Sequence, residues 1–224
     1  MATGETLTAA LVRFNFDPVS YSHPSWWNCG KLPGKVVRQL TADPAAALAL
    51  SKRMLLEYRI DGQFDFDFSH PFKRIAFLDY AEQRRLALRL GLVIYHERIA
   101  AAIRREEQEQ LREVVNQADY LLALRMRPGA GLVAGKDLPA LPASDKFRCR
   151  YQLYLAGFTL LAKIVSGEPP GFKKRFYLTW PRQFVLKRLA ALQNNTLSGV
   201  KMDNPAIVAE GKEQVKQLLS IQGY

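Results

Sequence analysis

The chain has 224 residues, 48% of them hydrophobic and 24% charged, and a formal net charge of +11. That length suits one domain or a compact domain with appendages, and the composition is enough to bury a core, which excludes disorder for most of it. No apolar run approaches the roughly 18 residues of a membrane span, because the longest, Leu86 to Tyr95, is short and broken by Arg89. The opening "MATGETLTAALVRFNFD" lacks the basic n-region of a secretory signal. Cys29 and Cys149 make neither a disulfide framework nor a CxxC site, so a soluble protein of a reducing cytoplasm is expected.

Residues 1–42 read as an irregular arm. Pro18, Pro24, Gly30, Pro33 and Gly34 interrupt regular elements, while Phe14, Phe16, Tyr21, Trp26 and Trp27 give the arm aromatic anchors for packing on a core. Residues 43–224 read as one helical domain. Asp43 as N-cap and Pro44 in the first turn predict a helix to about Tyr58. The alternation in "GQFDFDFSHP" then predicts an extended staple with one aromatic face. Its paired aspartates lack the glycine and distal glutamate of a calcium loop.

From about Ile75 to Arg105, apolar residues recur at three- and four-residue steps and predict a central, buried helix. Gly91 allows a neighbouring backbone to come close. Arg85, Arg89 and His96 fall on a more polar strip of that helix. Helix resumes from Leu111 to Arg127, and a loop follows at about 128–142, whose "GAGLVAG" has the wrong spacing for a phosphate-binding loop. Ser144 or Asp145 caps a helix with a stripe of Phe147, Tyr151, Tyr154, Phe158, Leu161 and Val165, read as core. Thr179 opens another helix to about Asn194, and a last one starts near Asp203 and Pro205. The fold class is mainly α, a single compact irregular helical domain with an aromatic, proline-rich N-terminal arm.

No catalytic constellation emerges. "YHERIA" starts like the zinc-protease pattern H-E-x-x-H, but the second ligand position is Ala100, and His23 and His70 lie in proline-punctuated stretches. Nucleophile elbows, phosphate-binding lysines and cysteine–histidine pairs of catalytic spacing are missing too. A non-enzyme without metal, cofactor or small-molecule substrate is expected. Charge, by contrast, is concentrated. Ten basic residues between Asp145 and Leu192 face only Asp145 and Glu168, a surplus of eight that suits an acidic protein, nucleic acid, anionic lipid or merely a solvated face. The cluster Lys173, Lys174 and Arg175 and the pair Trp26 and Trp27 are the candidate partner-binding residues.

The segment "RLGLVIYHERIAAAIRREEQEQLREVVNQ", Arg89 to Gln117, resembles the central helical region of the SctK (YscK/PscK) family of type III secretion. Arg89, Leu90, Gly91, Leu92, Glu97, Ile99 or Ile103, and Arg104 carry the likeness, and "RFNFDPVSYSHPSWW" is similar to the family's opening. About a third of the chain is covered, and the C-terminal half matches only in being helical. The resemblance implies an all-helical, non-enzymatic cytoplasmic adaptor of the sorting platform, peripheral to the inner membrane. Its partners would be the cytoplasmic domain of the ring component SctD and the pod protein SctQ, with the stalk and ATPase reached indirectly. The alternative is a basic nucleic-acid-binding helical protein, and membrane-surface association is a third reading.

Overall fold

A computed structural model describes residues 6–27, 33–101, 105–126, 138–142, 144–193 and 205–221. Among these residues there are helices and no strand, as the mainly α reading requires. The loop expected at about 128–142 lies largely outside the described residues, as do Cys29, Ile103 and Arg104. Contacts divide the chain into two compact units, each discontinuous: Met1–Ala81 with Gly167–Thr196, and Glu82–Ser166 with Leu197–Tyr224. Residues of the N-terminal arm therefore share a unit with the helix that follows them and with Gly167–Thr196.

The first unit holds α1 (Leu7–Phe16), α2 (Pro18–Tyr21), a 3-10 turn (Pro24–Trp26), α3 (Gly34–Leu40), α4 (Pro44–Glu57), a second 3-10 segment (Pro71–Phe77), α10 (Pro170–Leu178) and α11 (Arg182–Gln193). The described residues of the arm are thus largely helical, which corrects the expected irregularity. Its prolines initiate elements instead of breaking them: Pro18 and Pro24 occupy first-turn positions, where the missing N–H leaves nothing unsatisfied. Thr6 caps α1 by accepting from the Ala9 N–H at 3.2 Å. Asp43 caps α4 as expected, its Oδ1 accepting from Ala45 and Ala46 at 2.7 and 3.1 Å. Ser51, fully buried on α4, donates to Asp17 at 2.6 Å and accepts from the Val19 N–H, which fastens α2 to α4.

The second unit holds α6 (His96–Ala100), α7 (Arg105–Val114), α8 (Gln117–Arg125), α9 (Lys146–Ser166), α12 (Pro205–Ile221) and nearly all of α5 (Tyr80–Ile94). The predicted continuous helix from Ile75 to Arg105 is interrupted: its start is 3-10, and it turns at Tyr95 between α5 and α6. Gly91 does what its size allows. A Cβ there would fall inside the van der Waals shell of the Leu153 carbonyl oxygen, and one at Gly157 would lie 2.8 Å from the Gly91 nitrogen. Hence α5 and α9 cross backbone to backbone, an approach that any side chain at either position would prevent. Asp145 caps α9 by accepting from Arg148 N–H at 3.0 Å. The aromatic stripe of α9 is core only in its second half. Phe158, Leu161 and Val165 are buried, but Phe147 and Tyr151 are exposed.

Candidate interaction surface

Polar side chains that enter the interior must bring partners, and several in the second unit do so along the seam between α5–α6 and α8. Arg89 Nε donates to Asp119 on α8 at 2.6 Å, and seven residues on, His96 Nδ1–H donates to the Ala123 carbonyl at 2.8 Å. The polar strip of α5 and α6 is therefore the edge that meets α8. Asn116 caps α8 through the Asp119 N–H and also donates to its carboxylate, both at 2.8 Å. Tyr95 accepts at its hydroxyl from Gln152 Nε2 at 3.0 Å, and Arg98 donates to the Leu138 carbonyl. "YHER" thus spends three of its four side chains on internal ties. Among the described residues, no three His, Cys, Asp or Glu side chains converge in a way that could hold a metal ion.

All five candidate partner residues lie in the first unit. Trp26 is buried: its Nε1–H donates to the Trp180 carbonyl at 2.6 Å, its own carbonyl accepts from Tyr58 at 2.7 Å, and the Arg182 guanidinium sits 5.7 Å from its ring centroid. Trp27 is half-buried and donates to Ser22 Oγ at 2.8 Å. Lys173 and Lys174 are half-buried on α10. Lys174 Nζ donates at 3.0 Å to the carbonyl of Arg59, a residue in the left-handed region at φ 50° just beyond α4.

Arg175 is 0% exposed. Its Nη1 donates to the Gln63 carbonyl at 2.5 Å, and Nη2 to the carbonyls of Asn15 and Ile60 at 3.1 Å each. Burial pushes its pKa down, opposed by the fields of Tyr21 and Asp65. The cluster Lys173–Arg175 therefore does not present three charges outward; one of them is an internal brace. A signal for this stands in the sequence: Arg175 follows Phe172 by three positions and shares its helical stripe, while Lys173 and Lys174 do not.

Two further residues escaped the sequence reading. Asn15 pairs its side-chain amide with the backbone of Asp65, inside the extended segment. Lys73 places Nζ 3.0 Å from the Asp65 carboxylate, 2.7 Å from the Asp67 carbonyl and 3.7 Å from Glu168, with Phe172 5.5 Å away. Since Asp65 is drawn inward, its neighbours Phe64 and Phe66 turn outward and meet Phe16 on the surface. The expected aromatic staple is consequently split: only Phe68 enters the core, where it packs on Phe14, Phe77 and Phe172.

The basic tract is partitioned and partly consumed. Lys146 pairs with Glu113, Arg148 with Asp145 at 3.2 Å, and Arg150 donates to the Val114 carbonyl, all in the second unit. Residues 173–188 of the tract belong to the first unit, where Arg182 and Arg188 lie over the rings of Trp26 and Phe184.

A family model described as "YOP proteins translocation protein K (YscK)" matches residues 7–204. The chain belongs to the YscK family. The match runs from the first residue of α1 to just before α12, so the YscK likeness extends well past the arm and central helices that carried the resemblance. Membership gives the chain a role in type III secretion. No curated protein and no solved structure matches it. No described helix of this YscK-family chain is long and apolar enough to cross a membrane.

Proposed function

We propose that the chain is a non-enzymatic adaptor of the type III secretion sorting platform. It joins the cytoplasmic domain of the ring component SctD to the pod protein SctQ, and through the pod reaches the stalk and ATPase. It works on the cytoplasmic side, peripheral to the inner membrane. The observation that carries this reading is the family match over residues 7–204. The geometry supports it, because the buried polar groups Arg175, Lys73, Asn15 and Asp119 and the half-buried Arg89 are each engaged in bracing the fold. Aromatic and charged residues remain at the surface, where anchors supply affinity and charges orient a partner. Of the five candidate contacts, Trp27, Lys173 and Lys174 reach a partner from partly exposed positions; Trp26 and Arg175 act through the internal structure.

The test is bridging. With all three proteins purified, tagged SctD cytoplasmic domain should retain SctQ only when the chain is present, and deletion of its gene should stop secretion. Retention of SctQ without the chain, or no binding to either partner, would refute the adaptor role.

A further inference from the structure

Phe16, Phe64 and Phe66 form a packed aromatic cluster outside the core. Ring centroids lie 4.7 Å apart for Phe16 and Phe64, 6.4 Å for Phe16 and Phe66, and 6.2 Å for Phe64 and Phe66, with tilts of 39° to 47°. These are core-like spacings, yet the residues are 41%, 41% and 57% exposed. Val12, one turn earlier on α1, is exposed beside them in register with Phe16. Contiguous apolar surface of this kind marks a contact site more often than scattered single residues do. Nor is the exposure slack in the chain, since the intervening Asp65 is pinned inward by Asn15 and Lys73.

The surrounding charge restricts what can bind. Residues 61–67, "DGQFDFD", hold three aspartates and no lysine or arginine within a chain of net charge +11. Asp65 is neutralised inside by Lys73, which leaves Asp61 and Asp67 exposed on either side of Phe64 and Phe66. Hydrogen bonds from the Ser69 hydroxyl and N–H hold the Asp67 carboxyl below its usual range, so it stays ionised. Of the nearby cations, Lys73 and Arg175 are buried, Lys73 with Nζ on Asp65 and the Asp67 carbonyl and Arg175 6.0 Å from the Phe64 ring centroid, while Arg59 is exposed two residues before Asp61. Nucleic acid or an anionic membrane would meet two carboxylates here. A cage for a lone ammonium is also ruled out, since rings 4.7 Å apart leave no gap for a cation between them.

We propose that this platform docks a basic protein segment, which sets aliphatic or aromatic side chains on Phe16, Phe64 and Phe66 and Lys or Arg side chains on Asp61 and Asp67. The proposal rests on the adaptor reading, which assigns the segment to SctD or SctQ. The full chain is compared with Phe64→Ser/Phe66→Ser, with Asp61→Lys/Asp67→Lys, and with Leu56→Ser, which alters an exposed apolar residue of α4. Affinities for the purified SctD cytoplasmic domain and for SctQ are measured by calorimetry, with thermal melts to establish folding. Each double variant should weaken one partner about ten-fold or more and leave the other unchanged, with Leu56→Ser neutral. The charge-reversed variant keeps the test valid if the serine variant melts early. Wild-type affinities in both double variants would overturn this proposal and leave the adaptor reading standing. Failure of the unmodified chain to bind either partner would overturn both. Sedimentation showing self-association that both double variants abolish would assign the platform to a second copy of the chain, and overturn it as stated.

Discussion

Asn15 holds Asp65 as a neighbouring strand would: its Oδ1 accepts from the Asp65 N–H at 2.9 Å, and its Nδ2 donates to the Asp65 carbonyl at 2.8 Å. One side chain thereby stands in for the ladder that the extended segment lacks, and fixes which of its residues face inward. Asn15→Ala would leave both backbone groups of a buried residue without those bonds. The expected cost is about 2–4 kcal/mol, read as a lower urea midpoint. Asn15→Asp should do no better, because it loses the donor and adds a charge near the Asp65 carboxylate.

Arg175 and its two lysine neighbours should behave oppositely. Arg175→Met strands the carbonyls of Asn15, Ile60 and Gln63 and should destabilise by about 3 kcal/mol or more. Arg175→Lys should not rescue it, since an ammonium cannot span three carbonyls with the geometry of a planar fork. Lys173→Glu with Lys174→Glu should shift the melting temperature far less. Equal melting shifts for the two positions would contradict the internal assignment of Arg175.

At the α5–α9 crossing, Gly91→Ala or Gly157→Ala drives a methyl group into backbone that cannot rotate away. Losses beyond about 3 kcal/mol, or failure to fold, are expected. Gly211→Ala is the contrast, because its Cβ would meet the Leu160 Cδ1 at 2.8 Å and the Ile164 Cδ1 at 3.0 Å, both at the ends of flexible side chains. Thermal melts should rank Gly211→Ala clearly above the other two.

Cys149 lies fully buried, and burial, reinforced by the field of Asp145, pushes its thiol up from 9.0 to about 11. At pH 8 about one thiol in a thousand would be ionised, so iodoacetamide should modify Cys149 only in denaturant, as followed by peptide mass spectrometry. The folded state favours the protonated thiol. Its stabilising contribution is therefore full below pH 9 and is lost as the pH rises through 11. Cys149→Ala should accordingly lose less stability between pH 9 and 11 than the parent chain does.

Local signals in the sequence were enough for the helical class, the cap at Asp43, the close approach at Gly91 and the family, because periodicity, capping chemistry and a small residue act within a few positions of themselves. The helicity of the arm was hidden there, since a proline reads alike whether it breaks a helix or begins one. Only the tertiary structure decided the inward or outward course of the polar and aromatic residues. Arg175 went inside because carbonyls at Asn15, Ile60 and Gln63 converge on it from elsewhere in the chain. Phe64 and Phe66 went outside because Asn15 and Lys73 had claimed the residue between them. Such choices depend on partners 8 to 160 residues away, and no window of local sequence contains them.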